Sequence, residues 1–224
     1  MNILVIGMQR SGTTLLRRLC LVHPKVRKMF HEHFILKKCT SVKDIEKYIK
    51  KYGINSKKHI WGEKCPYYPN IRKIKPENYC ERLYELYPDK LKVIHIIRHP
   101  LDIANSNVKK FKNINNVTAP LNIYKRTIPR IITNLSKFPY VIQIKYEDLL
   151  QEPDIVLQKI YRFCNLEEHI DFRKLLKKHF VDSRYQSLDS SRAFAFMETE
   201  QKLKIDFDDV FDITDKIEGP KYKI

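Results

Sequence analysis

The chain lacks several things that would each point to a different kind of protein. Its five cysteines, at 20, 39, 65, 80 and 164, form no C-x-x-C pair, and no His–Cys cluster has metal-ligand spacing. With an odd count as well, a disulfide framework or a zinc module is not expected, and the thiols are expected to be reduced and mostly structural. No apolar run approaches the length of a membrane span. The first apolar segment starts at residue 3, which leaves no room for a signal peptide, so a soluble, cytoplasmic protein is expected. Asn116-Val117-Thr118 and Asn134-Leu135-Ser136 fit the glycosylation pattern and are read as chance matches in that setting. Internal repeats and low-complexity tracts are absent too, which removes solenoids and linkers. Acidic residues are scarce: 26 Asp and Glu stand against 43 Lys and Arg, for a net charge of +17. Anionic partners are therefore favoured, whether a phosphorylated cofactor, an acidic acceptor or nucleic acid.

What is present begins with Ile3-Leu4-Val5-Ile6-Gly7-Met8-Gln9-Arg10-Ser11-Gly12-Thr13-Thr14-Leu15-Leu16. A buried strand ending at Gly7, a tight loop, and leucines at helical spacing give the layout of a phosphate-binding loop. In that layout, backbone N–H groups and a helix N-terminus face an anion. Gly7 and Gly12 keep the interval of G-x-x-x-x-G-K-[ST], and Thr14 takes the hydroxyl position. The lysine slot holds Thr13. In ATP and GTP enzymes that lysine reaches the β- and γ-phosphates, so a cradle without it suits a phosphate ligand lacking a γ-phosphate.

Further along, Ser41 to Tyr52 reads as a helix, with Ser41 as N-cap, Asp44 at the capping-box position and Gly53 past the end. Residues 25–36 read as extended or irregular. Ile60 to Pro66 is a short strand, 77–87 a helix, and Lys92 to Ile97 a second strong strand. Pro100 opens a helix that runs to about Lys110. A helix over 119–135 carries Pro129 as an expected kink, 140–144 is a third strong strand, and 155–163 a last helix. Strands alternating with helices predict an α/β, three-layer, P-loop-like fold: a central parallel sheet of about five strands with helices on both faces. The 224 residues suit a single domain, with 181–224 as a C-terminal arm or lid. The second strong strand ends in Arg98, where Mg²⁺–nucleotide enzymes usually place a carboxylate. An arginine there meets an anion directly, and Ser106 lies on the following helix.

Arg10-Ser11-Gly12-Thr13-Thr14, Ile97-Arg98-His99-Pro100 through Ser106, and Tyr146-Glu147-Asp148-Leu149-Leu150 together resemble the sulfotransferase family, from residue 3 to about 166. Those enzymes use 3′-phosphoadenosine-5′-phosphosulfate (PAPS). The resemblance implies that Arg10, Ser11, Gly12, Thr13 and Thr14 cradle the 5′-phosphosulfate, that Arg98 and Ser106 bind the 3′-phosphate, and that Tyr146 lies near the adenine. Arg10 in place of the usual lysine is more similar to bacterial-type and tyrosylprotein sulfotransferases, which draw their catalytic lysine from elsewhere. Gly62-Glu63-Lys64-Cys65-Pro66 resembles that second source, which makes Lys64 the candidate. Glu32 is the base the resemblance favours, with His31 next and His33 third. Sulfuryl transfer needs in-line positioning, charge stabilisation on the leaving oxygen and a base. PAPS has no triphosphate that demands Mg²⁺, so no metal requirement is expected. The expected activity is transfer to a hydroxyl or amine acceptor, with an acidic carbohydrate or peptide mildly favoured by the charge. A P-loop kinase of a small metabolite, a basic nucleic-acid-binding protein and a nucleotide-binding fold without catalysis are the competing readings.

Overall fold

The computed structural model of the chain describes residues 1–31, 35–36, 38–67, 76–111, 114 and 116–166. The expected C-terminal arm lies outside the described residues. Five strands, β1 (Asn2–Met8), β2 (Val26–Phe30), β3 (Ile60–Tyr67), β4 (Leu91–Ile97) and β5 (Val141–Lys145), form one sheet in the order β2-β3-β1-β4-β5. All four pairings are parallel. A strand buried on both faces must be apolar at nearly every position, and β1 is buried from Asn2 to Met8.

Alternation along the strands divides the core in two. Leu4, Ile6 and Met8 of β1, with Leu91 and Val93 of β4, join one cluster, whereas Ile3 and Val5, with Ile94 and Ile96, join the other. The first cluster is covered by α2 (Val42–Lys50), α3 (Pro76–Leu86), α4 (Pro100–Lys110) and α5 (Thr118–Leu135). The second is covered by α1 (Thr13–Cys20), α6 (Tyr146–Gln151) and α7 (Pro153–Phe163). The result is the three-layer α/β fold. The chain leaves β1 toward one edge of the sheet and leaves β4 toward the other, so the switch point lies between them, at the carboxyl ends where open α/β sheets bind ligands.

Several elements differ in detail from the sequence expectation. Part of 25–36 is a true edge strand, β2, held to β3 by parallel pairing. The α5 helix is one 18-residue element, Thr118–Leu135, with Pro129 inside it. α6 was not anticipated, because six residues are too few to set a helical period. At α2 the Ser41 hydroxyl accepts from the Asp44 N–H at 3.2 Å, and Asp44 reaches back to the Thr40 N–H at 3.3 Å, one residue earlier than a standard capping box. Gly53, with φ of 69°, closes the turn after α2. All five cysteines are buried.

Candidate active site

The loop between β1 and α1 owes its shape to two residues in the left-handed region, Arg10 (φ 73°) and Gly12 (φ 100°). Gly12 is the N-cap of α1, and no side chain caps that end. With no acidic residue in the first turn, the N-terminus of α1 opens onto the loop with its dipole uncompensated. A methyl group on Gly12 would run into the ring of Tyr146. The glycine is thus required twice, for its φ and for the approach of that ring.

Around the loop lies a cleft of about 430 Å³ lined by Gln9, Arg10, Gly12, Thr13, Thr14, Leu15, Lys64, Pro66, Arg98, Ser106, Lys110, Phe111 and Tyr146. The three sequence motifs, spread over more than a hundred residues of chain, therefore meet at the switch point. The Arg98 guanidinium stacks over the Tyr146 ring, 4.3 Å from its centroid, an arrangement that suits a planar cation on an aromatic face. Asp102, one helical turn further on, accepts from Arg98 Nη2 at 3.0 Å and from Nε at 3.3 Å. That grip leaves Nη1 pointing toward the loop, where it donates to the Arg10 carbonyl at 3.3 Å. The Arg10 Nε donates to the Ser106 hydroxyl at 2.8 Å, joining the first motif to the second. On the other wall, Lys64 of β3 is buried to 4% exposure, and its Nζ donates to Thr14 Oγ1 at 3.0 Å.

The turn from β4 into α4 is fixed from three sides. The His99 ring accepts from the Leu101 N–H as N-cap, the His99 N–H donates to Glu147 Oε1 at 3.0 Å, and the Tyr124 hydroxyl donates to the Arg98 carbonyl at 3.2 Å. Burial, followed by the neighbouring Arg98 charge, pushes His99 down to about 3, so it stays neutral and can serve as an acceptor. Burial raises the Glu147 carboxyl above its ordinary value, offset by the His99 N–H bond.

Of the residues the sequence singled out, Arg10, Gly12, Thr13, Thr14, Lys64, Arg98, Ser106 and Tyr146 share the cleft. Ser11 sits beneath the loop with no exposure, its N–H already donated to the Met8 carbonyl at 3.1 Å. His31 is exposed just past β2, while Glu32 and His33 lie outside the described residues. The reading passed over Gln9, Leu15, Pro66, Lys110 and Phe111. Lys110 is four residues after Ser106, and that helical interval puts the two on one face. Four cations line the cleft and no Asp or Glu joins them among the described residues, so the donor set fits a polyanion and offers no carboxylate to a divalent ion.

This cationic cleft at a parallel-sheet switch point suits an enzyme that handles an anionic substrate. The chain matches the sulfotransferase family over residues 2–61 and 75–171, and it belongs to that family. It is a sulfotransferase, an enzyme of sulfuryl transfer, and that reading holds over the kinase and nucleic-acid-binding alternatives. Among solved structures it is similar to the sulfotransferase domain of the Synechococcus PCC 7002 olefin synthase, at 18% identity and a TM-score of 0.61 over 86% of this chain and 82% of that one. The sulfotransferase domain from the curacin biosynthetic pathway gives 18% and 0.54 over 78% and 76%. A sulfotransferase from Alicyclobacillus acidocaldarius gives 17% and 0.51 over 85% and 97%. These likenesses support the fold. No curated protein is similar enough to count as a relative, and no described helix is long and apolar enough to cross a membrane.

Proposed function

We propose that the donor is PAPS and that the cleft splits its recognition between two walls. Arg98 and Ser106 bind the 3′-phosphate. The amides of the 8–14 loop, with Thr13 and Thr14 at the N-terminus of α1, take the 5′-phosphosulfate, and Tyr146 lies near the adenine. The reaction is in-line: the acceptor oxygen or nitrogen bonds to sulfur as the bond from sulfur to the bridging phosphate oxygen breaks. The acceptor proton passes to a base, and 3′-phosphoadenosine-5′-phosphate (PAP) leaves. Arg10 and Lys64 stabilise the charge that grows on that oxygen, at a cleft wall where fixed donors need no reorganisation. Glu32 is the proposed base, with His31 and His33 as alternatives. The reaction needs no metal, and the acceptor is a hydroxyl or amine, with an acidic carbohydrate or peptide favoured.

The observation that carries this reading is the convergence of Arg98, Lys64 and the uncapped N-terminus of α1 on one cleft with no carboxylate among its described lining. Calorimetric binding of PAP in EDTA, beside ADP and Mg²⁺–ATP, tests it. Metal-free binding of PAP tighter than ADP is expected. Preference for Mg²⁺–ATP would overturn the donor assignment.

A further inference from the structure

Residues 25–58 hold eleven Lys or Arg against three Asp or Glu, close to half of the chain's net charge of +17 in about a seventh of its length. Among the described residues, the fold gathers the cations of β2 and α2 on one edge. β2 is an edge strand, and α2 packs beside it through Ile45 and Ile49. The ring of Phe30, at the end of β2, meets that of Tyr48 on α2 and that of Tyr52 in the turn after it. Lys28 of β2 places its Nζ 5.5 Å from the Tyr52 ring centroid, which brings the strand's charge beside the end of the helix. Ser56 donates to Glu46 Oε1 at 3.2 Å and ties the turn carrying Lys57 to the same helix. On α2, Lys43, Lys47 and Lys50 fall at i, i+4 and i+7, one face of the helix, and all are exposed with Lys51. The two acids of this helix are taken up locally, Asp44 by the Ser41 and Thr40 hydroxyls and Glu46 by Ser56.

We propose that this β2–α2 edge is a docking surface for an anionic polysaccharide, the acceptor polymer beyond the residue being sulfated. The proposal rests on the sulfotransferase reading for its demand that the partner carry hydroxyl groups. A row of lysines, point charges on flexible stems, suits carboxylates spaced along a mobile chain better than the bidentate geometry that arginine gives phosphate. Tyr48 and Tyr52 are engaged by Phe30, by each other and by the ammonium groups of Lys38 and Lys28, which leaves less ring face for the stacking that single-stranded nucleic acid uses. Charge of one sign along an edge also raises the local concentration of a polyanion, and does so less as salt screens it.

The test is calorimetric binding of a long alginate oligosaccharide to the full chain at low and high salt, with PAP binding measured on the same samples. The variant carries Lys43→Gln, Lys47→Gln and Lys50→Gln, all exposed on a helix that keeps its apolar face. Alginate should bind the parent, weaken with salt, and bind the variant about tenfold less tightly, while PAP binds both alike. Equal alginate binding by parent and variant, or none by the parent, overturns the surface. Tighter binding of polyglutamate or of a single-stranded oligonucleotide overturns the polysaccharide and points to that class of partner. Loss of PAP binding in the parent with alginate binding intact would count against the donor assignment alone.

Discussion

At the scale of single residues, Arg98 carries the most specific prediction. Its guanidinium is held on two sides, by the Asp102 carboxylate and by the Tyr146 ring, before any ligand arrives. A preorganised charge-assisted contact loses little freedom on binding. Arg98→Ala should therefore weaken PAP binding by on the order of 2–3 kcal/mol, read by calorimetry. Binding as tight as the parent's would remove the 3′-phosphate from this position. Lys64 should behave differently. Its Nζ reaches the first turn of α1 through Thr14 rather than the Arg98 wall. Lys64→Ala should lower kcat by about a hundredfold and leave PAP affinity nearly unchanged. An equal loss in both would make Lys64 a binding residue instead. The signal for Arg98 was legible because it follows an apolar strand, whereas Lys64, inside β3, was singled out only by the resemblance of residues 62–66 to the family. The clasp of Arg98 by Asp102 was also in reach, at an i to i+4 interval. The stack on Tyr146 was not, because nothing local to residue 146 says which strand β5 will lie beside.

At the scale of elements, local chemistry was read well and the joins between elements poorly. The β1–loop–α1 unit announces itself through an apolar run, two glycines at a fixed interval and leucines at helical spacing, all within twenty residues. Ser11 shows where that reading stopped: the motif names the residue, but only the fold shows it buried under the loop with its N–H spent on Met8. Lys110 and Phe111 were passed over because they lie past the motif, although the first is one turn from Ser106. The α6 helix is set by Tyr146 leaving β5 toward the cleft, a tertiary constraint. α2 is the converse case, with both ends written in its sequence. Its N-terminal hydrogen bonds are made by Ser41 and Asp44, and removing the Ser41 hydroxyl leaves the Asp44 N–H without that acceptor. Ser41→Ala should cost about 1 kcal/mol in urea unfolding. A change within error would mean that the Thr40–Asp44 bonds carry the cap alone.

At the scale of the whole molecule, the sheet divides two cores and also buries ionisable groups that must stay neutral for the fold to close. His95 on β4 is fully buried, with Nδ1 3.0 Å from Gln143 Oε1 and, among the described residues, no hydrogen-bond partner at Nε2. Burial, only partly offset by Gln143, pushes it down to about 4 from an ordinary value of 6.5. His99, behind the cleft, is pushed to about 3. In the unfolded chain both take up protons near 6.5, whereas the folded chain resists until far lower. Between those values the unfolded state binds more protons, so stability is complete above about 6.5 and is lost as pH falls toward 4. Glu147 works in the opposite sense, since its raised carboxyl regains a proton more readily in the folded state, near and above its ordinary value of 4.5. The decline should thus be steepest between about 6.5 and 5, where the histidines act with least opposition. For His95 alone the loss by pH 5 comes to about 2 kcal/mol. Urea midpoints measured at intervals from pH 8 to 5 should stay level to about 6.5 and then drop, and His95→Leu should flatten part of the drop. A parent midpoint that stays level down to pH 5 would show that these rings take up protons in the fold as readily as in the unfolded chain. In that case the neutral His99 that caps α4, and with it the fixed turn that presents Arg98 to the cleft, would need another explanation.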